Sequence, residues 1–267
     1  PGTGQFGDGE VEAVLGDHRA QPLVDAHVIE DHTLNMTHLA LRLSRYVNAV
    51  AMRHREISQG MFPDYPIDSI TNGVHARTWT AAPFQELFDR RIPEWRRDNQ
   101  YLRYAIDIPL EEILDAHAAA KAALFAEVLK RTGVKLDPAV MTIGFARRAT
   151  PYKRADLIFS DIQRLKAIAE RSGRIQLVFG GKAHPRDEGG KELIRHIYAA
   201  AASLPASVHV VYIENYEMDV AHLMTSGVDL WLNNPTKPLE ASGTSGMKAA
   251  LNGVPSYSVL DGWWVEG

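Results

Sequence analysis

The chain contains no cysteine, and that absence excludes disulfide staples, zinc sites built on thiolates and thiol nucleophiles together. It fits a reducing compartment, so the cytoplasm is the expected location. A general basic field is also missing: 29 Lys and Arg stand against 33 Asp and Glu, which argues against nucleic acid or an anionic membrane surface as a partner. Cations that bind phosphate must therefore be clustered locally. No apolar run approaches the roughly 18 residues a membrane helix needs, and no charged-then-apolar leader opens the chain. The sequence begins at Pro1 and not at a methionine, which reads as an excised or incomplete piece. What is present is 267 residues at 45% hydrophobic composition, enough core for one large domain or one and a half ordinary ones.

The opening 22 residues are rich in glycine and polar groups and read as a loop or frayed segment. Next, Met36, Leu39, Leu43, Tyr46, Val47 and Val50 recur at helical spacing, which predicts one long helix stopped at Gly60. Pro63, Pro66 and the Asn72-Gly73 pair mark a turn-dense connection. Residues 81 to 133 read as helical: Pro109 starts the longest stretch, Ile113, Leu114, Leu124, Phe125, Val128 and Leu129 form its stripe, and Gly133 ends it. Beyond that, short apolar runs in 139–146, 175–181, 207–214, 227–234 and 253–262 alternate with helical stretches in 155–173 and 189–204. Repeated strand then helix predicts an α/β fold, a Rossmann-like parallel sheet with helices on both faces. The expected domains are 1–80, a loop and helical remnant, and 81–267, the α/β domain.

Open parallel sheets bind ligands at the carboxyl ends of their strands. After the first strand come Arg147, Arg148, Lys153 and Arg154, four cations within eight residues. They read either as a solvated turn paired with Asp156 and Asp161 or as a phosphate site, and their joint place on the rim favours phosphate. The Gly180-Gly181 turn after the second strand reads as a tight turn more than as an anion nest, since it matches neither phosphate-loop spacing. His184 has no distinctive setting. Ser242, Gly243, Thr244, Ser245 and Gly246 lead into a helix that carries Lys248. A glycine- and hydroxyl-rich turn at a helix start suits phosphate, and an amine beside it points to pyridoxal phosphate, with a surface lysine as the plainer alternative.

Other motifs fail. Ser245 and Lys248 form an S-x-x-K pair without the S-D-N or K-T-G partners of a penicillin-binding fold. His27, Glu30 and His32 are off register for a zinc-protease motif, so no metal is expected. Asp187 and Glu188 are adjacent and support no glycosidase dyad.

Taken together, the stretches 70–79, 146–157, 180–190, 213–223 and above all 240–253, "EASGTSGMKAALNG", resemble the α-glucan phosphorylases over residues 34 to 267. The resemblance implies the C-terminal domain of a GT-B type two-domain fold, with pyridoxal 5'-phosphate held on Lys248. It assigns Arg148 and Lys153 to the substrate phosphate as catalytic groups, and Arg147, Thr244, Ser245, Tyr216 and Trp79 to the cofactor. Glu240, Ser242, Gly243 and Asn72 become contacts to the glucosyl unit. The implied reaction is reversible, retaining phosphorolysis of an α-1,4-glucan (glycogen or maltodextrin) by inorganic phosphate to glucose 1-phosphate. A homodimer is the assembly it allows. Thr150, Pro151, Ser245, Gly246, His75 and Ala76 depart from the animal pattern and fit the shorter bacterial or archaeal branch. A nucleotide-sugar glucan synthase and a non-catalytic glucan binder are the competing readings, and Lys248 argues against the first. The resemblance also implies that the first domain's glycine loop and sugar contacts are needed for turnover, so activity is expected of a longer polypeptide.

Overall fold

The computed structural model describes residues 6–16, 21, 23, 28–30 and 32–267, in two compact units, Pro1–Ile70 and Thr71–Gly267. Of the rejected metal motif, His27 lies outside the described residues. Among the described residues no helix is long and apolar enough to cross a membrane.

In the smaller unit, the segment expected as a loop contains a helix, Asp8–Leu15. Its start is held by the Gly7 N–H donating to Glu10 at 3.0 Å, and Val11 joins Val28 and Leu34 in a small core. One apolar position sufficed, so the segment lacked a visible stripe. The long helix expected from residue 36 is two helices, Met36–Leu43 and Met52–Met61. Between them Asn48–Ala49 pairs in parallel with Asp68–Ser69. Leu43 and Tyr46 from the expected stripe are exposed, and the buried position is Leu41. Helical spacing ran on by coincidence through an extended segment whose backbone bonds go to the second strand: Asp68 N–H to Val47 O and Ile70 N–H to Ala49 O, both 3.0 Å. Gly60 lies inside the second helix.

The larger unit carries the sheet, whose elements are labelled here. Its five parallel strands are β1 (Met141–Ala146), β2 (Ile175–Gly180), β3 (Val208–Ile213), β4 (Leu230–Asn233) and β5 (Ser256–Ser258). They lie in the order β5-β4-β1-β2-β3. After a four-residue helix, Ala76–Trp79, come α1 (Ala82–Arg91), α2 (Leu110–Thr132), α3 (Ile162–Ser172), α4 (Glu188–Ala202), α5 (Met218–Gly227) and α6 (Ser245–Ala250). Strand side chains alternate between two cores. Val178 faces a core with Leu124, Val128 and Met224 of α2 and α5, whereas Leu177 and Phe179 face one with Leu165 and Ile197 of α3 and α4. Helices therefore cover both faces, and most strand positions are apolar; polar exceptions include Thr142 and Gln176, buried and bonded to each other at 2.9 Å, and the exposed His209.

Helix α2 starts after Pro109, carries Glu111 and Glu112 in its first turn and Lys130 and Arg131 in its last, and ends at Gly133 with φ 72°, which complements its dipole at both ends. The expected stripe is partly wrong. Leu114 and Leu129 are exposed, while Ala116, Ala120 and Lys121 are buried beside Leu124, Phe125 and Val128. The small residues are inward because α5 comes very close. A Cβ on Gly227 would sit 2.6 Å from Leu124 Cβ and 2.8 Å from the Ala120 carbonyl.

Candidate functional site

The strand order turns back between β1 and β4, where β1 continues to β2 and β3 on one side and β4 to β5 on the other. Adjacent loops leave the carboxyl ends there in opposite directions, which opens a crevice. Arg154 stitches the two loops together. Its guanidinium donates to the carbonyls of Asn234 at 2.7 Å and Pro235 at 2.9 Å, and its own carbonyl accepts from Asn234 Nδ2. The Thr236 N–H adds a bond to the Tyr152 carbonyl at 2.7 Å. Arg154 is thus a structural clamp and not one of four cations awaiting an anion. Nor do the acids beside the loop neutralise it: Asp156 meets His196 at 3.0 Å, and Asp161 caps α3 through the Arg164 N–H at 2.9 Å.

The anion beside the remaining cations comes from the second loop. Glu240 accepts from Arg147 Nη2 at 3.0 Å and from Lys153 Nζ at 2.5 Å, with the three side chains 4 to 9% exposed. Two cations around one carboxylate leave a formal surplus of one positive charge in a site poorly screened by water. Burial, then the like charge of Arg147, outweighs the hydrogen bond to Glu240 and brings the Lys153 ammonium down to about 8. Lys153 can therefore give up or take a proton near neutral pH.

Arg147 is set by the double-glycine turn. Its N–H donates to the Gly180 carbonyl at 3.2 Å, and a Cβ on Gly181, φ 145°, would lie 2.1 Å from the Arg147 carbonyl oxygen. A Cβ on Gly180 would meet the Tyr216 ring at 2.9 Å. The turn is a packing device, as expected, and His184 only accepts from the Arg186 N–H at 3.1 Å. Tyr216 sits within the field of Arg147. Burial pushes its phenol up to about 12 against that field, so it stays a neutral ring.

The Glu240 loop is shaped by residues that local sequence reasoning did not single out. Asp261, 2% exposed, accepts from the Glu240 N–H at 3.0 Å. Trp263 donates its backbone N–H to the Ser242 carbonyl and Nε1 to the Gly243 carbonyl, each at 2.9 Å. Gly243, φ 90°, lets the chain fold back over the Glu240 carboxylate, since a Cβ there would be 3.3 Å from its Oε1. Trp231 Nε1 donates to Ser245 Oγ at 3.2 Å, at the first turn of α6. Thr244 precedes that helix and is half-buried.

Lys248 lies on α6, half-buried, with Nζ 3.5 Å from the centroid of the Trp79 ring. Burial lowers its pKa, which raises the share of free, nucleophilic amine. The ring of His222 lies 6.3 Å from that of Trp79, centroid to centroid. The fold therefore forms two groupings from the expected residues, Arg147 with Lys153, Glu240, Gly243 and Tyr216, and Lys248 with Trp79. Arg148 and Asn72 are exposed and make no side-chain hydrogen bond to another described residue.

Several buried polar atoms have no partner among the described residues: on this rim Arg147 Nη1, Thr150 Oγ1, Asn233 Oδ1, Asn234 Oδ1 and Ser242 Oγ, and at the start of β5 Ser256 Oγ. A buried polar atom left unpaired costs about 1–3 kcal/mol. Arg147 Nη1 and the Thr150 and Ser242 hydroxyls can donate to an anion, whereas the Asn233 and Asn234 amide oxygens can accept only from a ligand's own hydroxyls or N–H groups. The aromatic Trp79 beside the desolvated Lys248 amine fits a flat carbonyl compound. The residues present thus suit a phosphorylated aldehyde cofactor with a second anion.

A sequence model of the carbohydrate phosphorylase family matches residues 10–266. Over 265 residues the chain is 44% identical to the maltodextrin phosphorylase of Thermococcus litoralis, covering 89% of this chain and 32% of that protein. It is 43% identical over 261 residues to the glycogen phosphorylase of Aquifex aeolicus, with 87% and 38% covered. For the glycogen phosphorylase of Mycobacterium tuberculosis the figures are 39%, 87% and 30%. The chain thus spans about a third of the length of these relatives.

Proposed function

The chain belongs to the carbohydrate phosphorylases, and from that premise we propose that its protein transfers a glucosyl unit from the end of an α-1,4-glucan to inorganic phosphate. The products are glucose 1-phosphate and a glucan shorter by one unit, with retained configuration. The observation that carries this reading is the buried Arg147–Glu240–Lys153 cluster at the switch point of the sheet, a preformed cationic seat with unpaired polar atoms around it.

In this reading Lys248 would hold pyridoxal phosphate covalently, and the bound group would supply a phosphate able to exchange a proton with the substrate phosphate. Trp79 and Tyr216 would line its pocket, and Arg147, Thr244 and Ser245 would hold its phosphate. Lys153 and Arg148 bind the substrate phosphate. Two unit charges of one sign about 4 Å apart repel by about 4 kcal/mol at an effective dielectric near 20, and these cations offset that repulsion. An arriving anion competes with Glu240 for the Lys153 ammonium. That frees carboxylate oxygens to accept from glucosyl hydroxyls, together with Ser242, Gly243 and Asn72. The phosphate's negative charge, fixed by the cations, stabilises positive charge developing at the anomeric carbon.

The test is release of glucose 1-phosphate from maltodextrin by the intact protein, measured with and without inorganic phosphate. Strictly phosphate-dependent release is expected. Transfer that requires a nucleotide sugar, or glucan binding with no release, would overturn the proposal.

A further inference from the structure

We infer that Asn252 is the positioning residue that holds the Lys248 amine against the Trp79 ring, and thereby sets how readily that amine captures an aldehyde. The inference rests on the reading that Lys248 carries the cofactor.

Asn252 follows α6 and is fully buried. Its Nδ2 donates to the Trp79 carbonyl at 2.7 Å and to the Lys248 carbonyl at 2.9 Å, and its Oδ1 accepts from the Ala81 N–H at 2.7 Å. Both amide hydrogens and an acceptor site are used, a set that only a carboxamide supplies at this size. The Asn252 side chain thus ties the lysine's own backbone to a segment 171 to 173 positions before Asn252 in sequence. Trp79 needs such a tie. It ends a helix of four residues, Ala76–Trp79, too short to hold its own geometry, because nucleating a turn costs more than one turn returns. The ring it carries lies 3.5 Å from the Lys248 ammonium and shields one side of it from water. Burial is the cause of the depressed basicity of Lys248; the titratable ring beside Trp79 is His222, with centroids 6.3 Å apart. Releasing Trp79 would rehydrate the amine and return it toward ordinary lysine behaviour.

The experiment uses the intact protein freed of cofactor. Pyridoxal phosphate is added across a pH series, the adduct is trapped with borohydride, and the modified peptide is quantified by mass spectrometry. Asn252→Ala should raise the pH of half-maximal trapping rate by about one unit, which is about a tenfold slower capture at neutral pH. Trp79→Leu should do the same, and the double variant should add little to either single change, because both act through one contact. A folded Asn252→Ala protein with an unchanged pH of half-maximal rate, or additive effects in the double variant, would overturn the inference. If that variant does not fold, Asn252→Asp serves, since it keeps the acceptor toward Ala81 and loses both donors. Failure of both to fold would assign Asn252 to core stability alone and equally overturn the inference. Lys248→Ala separates the two ideas: trapping as strong as in the unaltered protein would remove the cofactor reading itself, whatever Asn252 does.

Discussion

Lys153 and Glu240, 87 positions apart, meet at 2.5 Å across the point where the sheet changes direction. The bond joins the loop after β1 to the loop after β4 and makes one seat from two segments. It also places the basicity of Lys153 under the control of tertiary packing.

From that control follows a pH dependence. Lys153 is depressed to about 8 from the ordinary 10.5, so the free protein loses its ammonium as pH rises through about 8. The kcat/KM for phosphate should therefore fall above that pH with the slope of one proton, and Lys153→Arg should remove the fall. For stability the sign is opposite. Because the unfolded chain holds that proton more tightly, stability rises with pH between about 8 and 10.5. A profile measured over about 1.5 pH units on either side of the expected midpoint checks the first expectation.

Removing the ammonium separates phosphate from glucan. Lys153→Ala should lower kcat/KM for phosphate by about 10²- to 10³-fold and leave the KM for maltodextrin within about threefold. Equal losses in both would contradict the assignment of Lys153 to phosphate.

Covalent capture of pyridoxal phosphate should vanish in Lys248→Ala. Absorbance of the bound cofactor and borohydride trapping report it directly. A variant that still yields the adduct on another lysine would displace Lys248 from its role.

The opposite end of the sheet holds a second buried charge cluster. Asp229 accepts from His117 at 2.9 Å, from Lys121 at 2.7 Å and from the Thr142 N–H at 2.7 Å. Burial alone would raise its pKa, but these bonds outweigh burial and hold it below 3.8. Its contribution is full above that value and fades as pH falls through the lower folded one. Asp229→Ala strands the Lys121 ammonium, 6% exposed, and should cost about 3–5 kcal/mol, read from the denaturant midpoint near pH 7.

Packing of α2 on α5 makes its own prediction. Gly227→Ala would force a Cβ against Leu124 and the Ala120 carbonyl and should destabilise the unit by about 1–3 kcal/mol or somewhat more. Urea unfolding with an unchanged slope would show it.

The five strands and the helices between them were legible because strands covered on both faces are mostly apolar, as in 141–146 and 175–180, where Thr142 and Gln176 are the polar interruptions. The glycine turn before α6 and the cation-rich loop after β1 were legible because their chemistry is local. Local patterns also misled. Helical spacing continued through the extended Asn48–Ala49 segment, and large apolar residues at 114 and 129 drew the stripe of α2 away from the alanines that pack.

Composition and local pattern alone determined the fold class, the strand runs and the presence of a lysine beside a phosphate-shaped turn. Each of these depends on neighbours within a few residues. Only the tertiary structure decided that Arg154 is a clamp, that Glu240 sits between Arg147 and Lys153, and that Asp261, Trp263 and Asn252 hold the site together. Those bonds join positions from 20 to more than 170 apart, and a hydrogen bond at that separation leaves no periodicity or composition for the sequence to display.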